Sequence, residues 1–118
     1  MTLKECYEAM GADYEAVMGR LRKEERILKY LTKFLEDPSF GTLRQSLQEG
    51  NVEEAFRAAH TLKGVGQNLS LTKLYTTSST MAEILRAGSM EGTAPLMELL
   101  EVDYGKAVEL IRGVDPVA

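Results

Sequence analysis

Apolar residues recur at three- and four-residue spacing along the whole chain. No stretch shows the sustained two-residue alternation that a half-buried strand requires. That pattern excludes a sheet and predicts an all-α fold. The punctuation is equally helical. A first helix is predicted over Leu3 to Met10, stopped by Gly11. Asp13 can cap a long second helix running to about Leu35, with Tyr14, Val17, Met18, Leu21, Leu28, Leu31 and Leu35 as its buried stripe. Glu24 and Glu25 interrupt that stripe, so its middle bulges or faces solvent, and Pro38 prevents a longer run.

A short third helix carries Phe40, Leu43 and Leu47 and ends at Gly50. Asn51 then caps a fourth, with Glu54 placed to complete a capping box, and this helix runs to about Asn68. A fifth begins near Leu71, buries Leu71, Leu74, Tyr75, Ser78, Met81, Ala82 and Leu85, and stops at Gly88. Its outer face, Thr76, Thr77, Ser79 and Thr80, has mediocre helix propensity, so packing must hold it. A sixth starts near Thr93 to Pro95 and buries Leu96, Leu100, Tyr104, Ala107, Val108 and Ile111. Long helices with short connections predict an antiparallel up-down four-helix bundle. The second, fourth, fifth and sixth are its staves, and the short first and third cap one end.

The 118 residues suit one domain, 1–118, with a modest core that needs no metal or disulfide. A net charge of -4 argues against a nucleic-acid partner, which would require a basic patch. The single cysteine, Cys6, cannot form an internal disulfide and fits a reducing compartment. No apolar run has signal-peptide or membrane-spanning length. The expectation is a free-standing, cytoplasmic, monomeric module.

The chain has one histidine, His60, in Ala59-His60-Thr61-Leu62-Lys63-Gly64. On a helical wheel Val52, Ala55, Phe56, Ala59, Lys63 and Gly66 gather on one side, with His60 at the edge. Arg57 and Gly64 lie further toward solvent, and Gln67 stands about two turns on from His60. Each glycine costs a helix about 1 kcal/mol relative to alanine. Gly66 points inward, where close approach of a neighbouring helix explains it. Gly64 points outward, where a partner's surface beside His60 would explain it. Imidazole is the side chain that titrates near neutral pH, and its neutral form is a nucleophile. A phosphoryl group on the ring would bring roughly two negative charges. Lys63, three residues on, could meet it with a charge-assisted hydrogen bond, and Arg57, three residues back, could add field.

Ala58-Ala59-His60-Thr61-Leu62-Lys63-Gly64, followed by Gln67-Asn68-Leu69 and preceded by Gly50-Asn51-Val52-Glu53-Glu54-Ala55, resembles the histidine-containing phosphotransfer (HPt) domain. The resemblance covers essentially the whole chain. It implies a phosphocarrier that relays a phosphoryl group between receiver-domain aspartates in multistep two-component signalling, with no kinase activity of its own. By that resemblance His60 is the phosphoacceptor and Lys63 steadies the phosphoryl group. Gly64 keeps the docking face open, and Gln67 and Asn68 fall where the family often has small or polar residues; Arg57 joins that face by its helical spacing and charge, not by the resemblance. The partners implied are receiver domains of response regulators and hybrid histidine kinases. No cofactor is bound by the chain itself, since the receiver brings magnesium. One departure is Ser70, where the family often has glycine; there it could serve as the next helix's N-cap.

A second reading is a non-catalytic helical bundle that docks receiver or other signalling domains without being phosphorylated. Metal-dependent chemistry is poorly supported. Bundle di-iron sites use Glu-x-x-His pairs, whereas Arg57 precedes His60 by three and no second histidine exists. Nor is there a zinc-type cluster, a Walker phosphate loop or a serine-nucleophile motif.

Overall fold

The computed structural model describes residues 1–116. Its regular structure is helical throughout: α1 (Leu3–Met10), α2 (Tyr14–Leu21), α3 (Glu24–Glu36), α4 (Ser39–Glu49), α5 (Val52–Asn68), α6 (Thr72–Arg86) and α7 (Thr93–Arg112). The molecule is elongated, 46 × 23 × 20 Å. A 20-residue helix such as α7 spans about 30 Å, well short of the long dimension.

The expected long second helix is two helices. At Arg22 the backbone turns left-handed, with φ of 74°, and Lys23 is extended before α3 begins. The physical reason lies in the apolar register. Val17 and Leu21 are buried on α2, and Ile27, Leu31 and Phe34 on α3. In one straight helix Ile27 would sit about 120° round from Leu21, and Glu24 and Glu25 would occupy the inward line. The break lets both apolar faces reach the core. Tyr14 bridges it by donating its hydroxyl to Glu24 Oε2 at 2.8 Å.

α4 does not cap an end of the molecule. It reverses at Gly50, whose φ is 73°, and packs along α5, while Phe40 stacks on Tyr104 of α7 with centroids 4.0 Å apart. Phe34 meets the same tyrosine edge-on at 5.5 Å, so one ring joins α3, α4 and α7. α6 packs closely on the other side of α5. Gly66 of α5 makes this possible, because a Cβ there would lie 2.9 Å from the Tyr75 backbone nitrogen. On α7 the inward residues are Met97, Leu100, Ala107 and Ile111, whereas Leu96, Tyr104 and Val108 are only half-buried. The hydroxyls of Thr76 and Thr80 donate to carbonyls four residues back, which disposes of the polar face of α6 locally.

α1 sits where α5 ends. Its start carries a full capping box, Thr2 with Glu5, that the sequence reading overlooked. The buried Tyr7 donates its hydroxyl to the Leu69 carbonyl at 2.8 Å. Burial pushes the Tyr7 phenol well above its ordinary pKa, so it remains a donor. Asp13 N–H donates to the Ser70 carbonyl at 3.0 Å, which ties the α1–α2 corner to the α5–α6 turn.

Candidate functional site

The start of α5 explains where its midpoint points. Asn51 Oδ1 accepts from the Glu54 backbone N–H at 3.1 Å. The expected capping box is only half formed. Asn51 N–H already donates to Ser46 O in the α4 terminus, so the Glu54 carboxylate turns to Arg57 instead, at 3.6 Å. The buried line of the helix is Ala55, Ala58, Ala59, Leu62 and Gly66. It is turned toward Ala58 and Leu62 relative to the wheel reading, because α5 is covered on two sides, by α4 and by α6. Val52, Phe56 and Lys63 consequently lie half-buried on its flank.

His60, at the midpoint of α5, is exposed, and neither ring nitrogen has a hydrogen-bond partner among the described residues. Arg57, Thr61, Gly64, Gln67 and Asn68 are exposed on the same helix. Around Gly64 a Cβ would meet nothing within 4 Å, so its bare surface faces open space. Lys63 has no carboxylate partner among the described residues, whereas Arg57 and Arg86 are each paired with a glutamate three residues earlier. Thr61 turns its hydroxyl back to the Arg57 carbonyl at 3.0 Å, away from any role at the ring. The structure therefore brings together, on one accessible face, a nucleophile, a cation free to meet an anion, and an absence of bulk.

Two further neighbours were missed by the sequence reading. The Phe56 ring stacks on His60, with centroids 5.8 Å apart and planes 29° from parallel. The Arg86 guanidinium of α6 lies over Phe56 at 5.8 Å. The four-residue spacing of Phe56 and His60 is a legible signal; Arg86 has none, since only packing brings α6 there. Phe56 and Arg86, with Val52, Glu53, Arg57, Leu85 and Gly88, border a cleft of about 380 Å³.

The distal end of α5 is tied down from outside. Arg20 of α2 donates through Nη1 to the carbonyls of Gln67 and Asn68, at 2.9 and 2.7 Å, and to Ser70 Oγ at 3.0 Å. Ser70 is not the N-cap of α6. Its φ is 56°, in the left-handed region, and Leu71 holds the cap position without a side-chain hydrogen bond. A left-handed residue is also why glycine suits this position.

Among the described residues no cluster of three or more His, Cys, Asp or Glu side chains could hold a metal ion. No helix of the described residues is long and apolar enough to cross a membrane.

No curated protein and no solved structure matches the chain significantly. A family profile does: that of the Hpt domain, over residues 29–111. The match runs from within α3 to near the end of α7 and contains His60, Lys63 and Gly64, while α1 and α2 lie outside it. With well over half of its length so matched, the chain belongs to the Hpt domain family.

Proposed function

We propose that His60 accepts a phosphoryl group from the aspartyl phosphate of one receiver domain and passes it to the aspartate of another. Members of this family are histidine phosphocarriers of two-component phosphorelays, not kinases. The observation that carries the reading is the exposed His60, beside Lys63 and an open Gly64, with neither His60 nor Lys63 having a polar partner among the described residues. A ring nitrogen lone pair forms the N–P bond as the P–O bond to the receiver carboxylate breaks. The carboxylate leaves with that electron pair, and reversal onto a second receiver restores the free imidazole. Lys63 meets the phosphoryl oxygens. Arg57, Gln67 and Asn68 border the docking face. Positioning and the partner's electrostatics, including the receiver's magnesium, supply the catalysis. The partners are receiver domains of response regulators and hybrid histidine kinases, and the protein works in the cytoplasm as one module. On this reading α4, α5, α6 and α7 are the staves of an antiparallel four-helix bundle, α4 taking the place expected of the second helix.

The test is phosphotransfer. Radiolabelled, phosphorylated receiver domains are mixed with the native protein and with His60→Gln. Label reaching only the native protein, stable to base and labile to acid, supports the reading. Full labelling of His60→Gln would overturn it. Receiver binding with no transfer to either folded protein would favour a docking module that carries no phosphate.

A further inference from the structure

An exposed histidine on a helix, with neither nitrogen hydrogen-bonded, has nothing in its polar contacts to fix its ring. At least two χ1 rotamers are open to such a side chain. In-line transfer nevertheless needs the attacking atom held within a few tenths of an ångström of its path. Among the described residues the aromatic contact of the His60 ring is with Phe56.

We propose that Phe56 is a positioning residue for His60, itself braced by Arg86; the proposal rests on the phosphocarrier reading above. Helical side chains lean back toward the preceding turn, which places His60 over the residue four before it. That residue is Phe56, 5.8 Å away by ring centroids and 29° from parallel. This is the range in which aromatic pairs attract. Stacking engages a face of the imidazole and leaves its edge, which carries both nitrogens, open to a partner. Phe56 in turn is held from α6. Arg86 lies 5.8 Å from its ring centroid and is paired with Glu83 at 3.4 Å. Phe56 is half-buried against the core, so its anchor is rigid while the ring it steadies stays accessible. An Arg86–Phe56–His60 column thus links the α6 terminus to the reacting ring, and its disposition relative to Lys63 and Gly64 is set before any partner arrives.

The variants are Phe56→Leu, which keeps apolar bulk, and Phe56→Tyr, which keeps the ring. Each is labelled with phosphoramidate, a small donor whose P–N bond breaks with release of ammonia as the imidazole N–P bond forms. Each is also labelled with a phosphorylated receiver. The His60 ring-proton resonances are recorded by NMR. Loss of one stacking contact should slow both labelling reactions about threefold to tenfold in Phe56→Leu. Its His60 ring protons should move downfield as the Phe56 ring current disappears. Phe56→Tyr should match the native protein in all three readouts. Native rates and native ring shifts in folded Phe56→Leu would overturn the proposal. So would slowed receiver transfer with an unchanged phosphoramidate rate, which would make Phe56 a docking residue. Failure of the native protein to be labelled by either donor would instead remove the phosphocarrier reading, and the role assigned to Phe56 with it.

Discussion

The guanidinium of Arg20 donates to the backbone carbonyl of Asn68 at 2.7 Å, across 48 positions of sequence. A cation set on the last carbonyls of α5 satisfies groups that no helical N–H can reach, and it opposes the negative end of the helix dipole. The helix carrying His60 is therefore finished by a side chain from α2, a helix outside the family-matched span.

Arg20→Ala should destabilise the protein by about 1 kcal/mol, an effect limited by the exposure of the contact. Arg20→Lys should recover only part, because an ammonium lacks the planar fork of a guanidinium. Urea unfolding followed by circular dichroism measures both. An unchanged midpoint for Arg20→Ala would show the clamp to be energetically idle.

Tyr7→Phe should cost more than its single atom suggests. The hydroxyl bonds a carbonyl in a buried setting, and its loss leaves the Leu69 oxygen without that partner. The expected loss is about 1–3 kcal/mol, read from the same unfolding curves, with helicity retained below the transition.

The two glycines of the motif should answer alanine substitution with opposite signs. At Gly66 a Cβ would stand 2.9 Å from the Tyr75 nitrogen, and backbone cannot swing aside as a side-chain tip can. Gly66→Ala should therefore separate α5 from α6 and lose about 1–3 kcal/mol. At Gly64 the Cβ meets open space, so Gly64→Ala should gain up to about 1 kcal/mol. Gly64→Trp should remain folded yet block transfer from a phosphorylated receiver. Paired thermal melts and a labelling assay decide the matter.

Ser70→Gly should stabilise the protein slightly, by roughly 0.5–1 kcal/mol. It relieves a left-handed residue that bears a side chain. It gives up one contact to Arg20, which keeps two carbonyl acceptors. A fall in melting temperature would mean that the hydroxyl contributes more than the backbone strain costs.

Cys6 should be slow to react with a disulfide reagent in the native protein. The side chain is fully buried, and burial pushes its thiol pKa upward, so little thiolate is present near neutral pH. Native protein should release little chromophore on mixing, and denatured protein one equivalent. Rapid native reaction would show that α1 opens readily.

Much of the helix inventory was legible because its causes are local. α1 ends at Gly11 and α4 at Gly50, both left-handed, as their positions in the apolar pattern required. Asn51 begins α5, and Gly88 follows the end of α6. His60 and Gly64 emerge exposed and Gly66 buried, as the wheel placed them. The break at Arg22 was visible only as the awkward pair Glu24-Glu25, since an interrupted stripe does not reveal whether a helix bulges or stops. Phe56 was taken for core when it is half core and half site, because a wheel shows direction but not which neighbours cover it.

By itself the sequence determined the all-α class, the ends of α1 at Gly11 and α4 at Gly50, the Asn51 start of α5, and the line on which His60, Lys63 and Gly64 share a face. Those features depend on residues within about four positions of one another, where helical geometry fixes the relation. Only the tertiary structure decided that Arg20 and Tyr7 close the far end of α5, that α4 lies along α5, and that Arg86 braces the ring beneath His60. These contacts join residues tens of positions apart. They arise when apolar faces bury against one another and carry polar groups into reach, which no local spacing encodes.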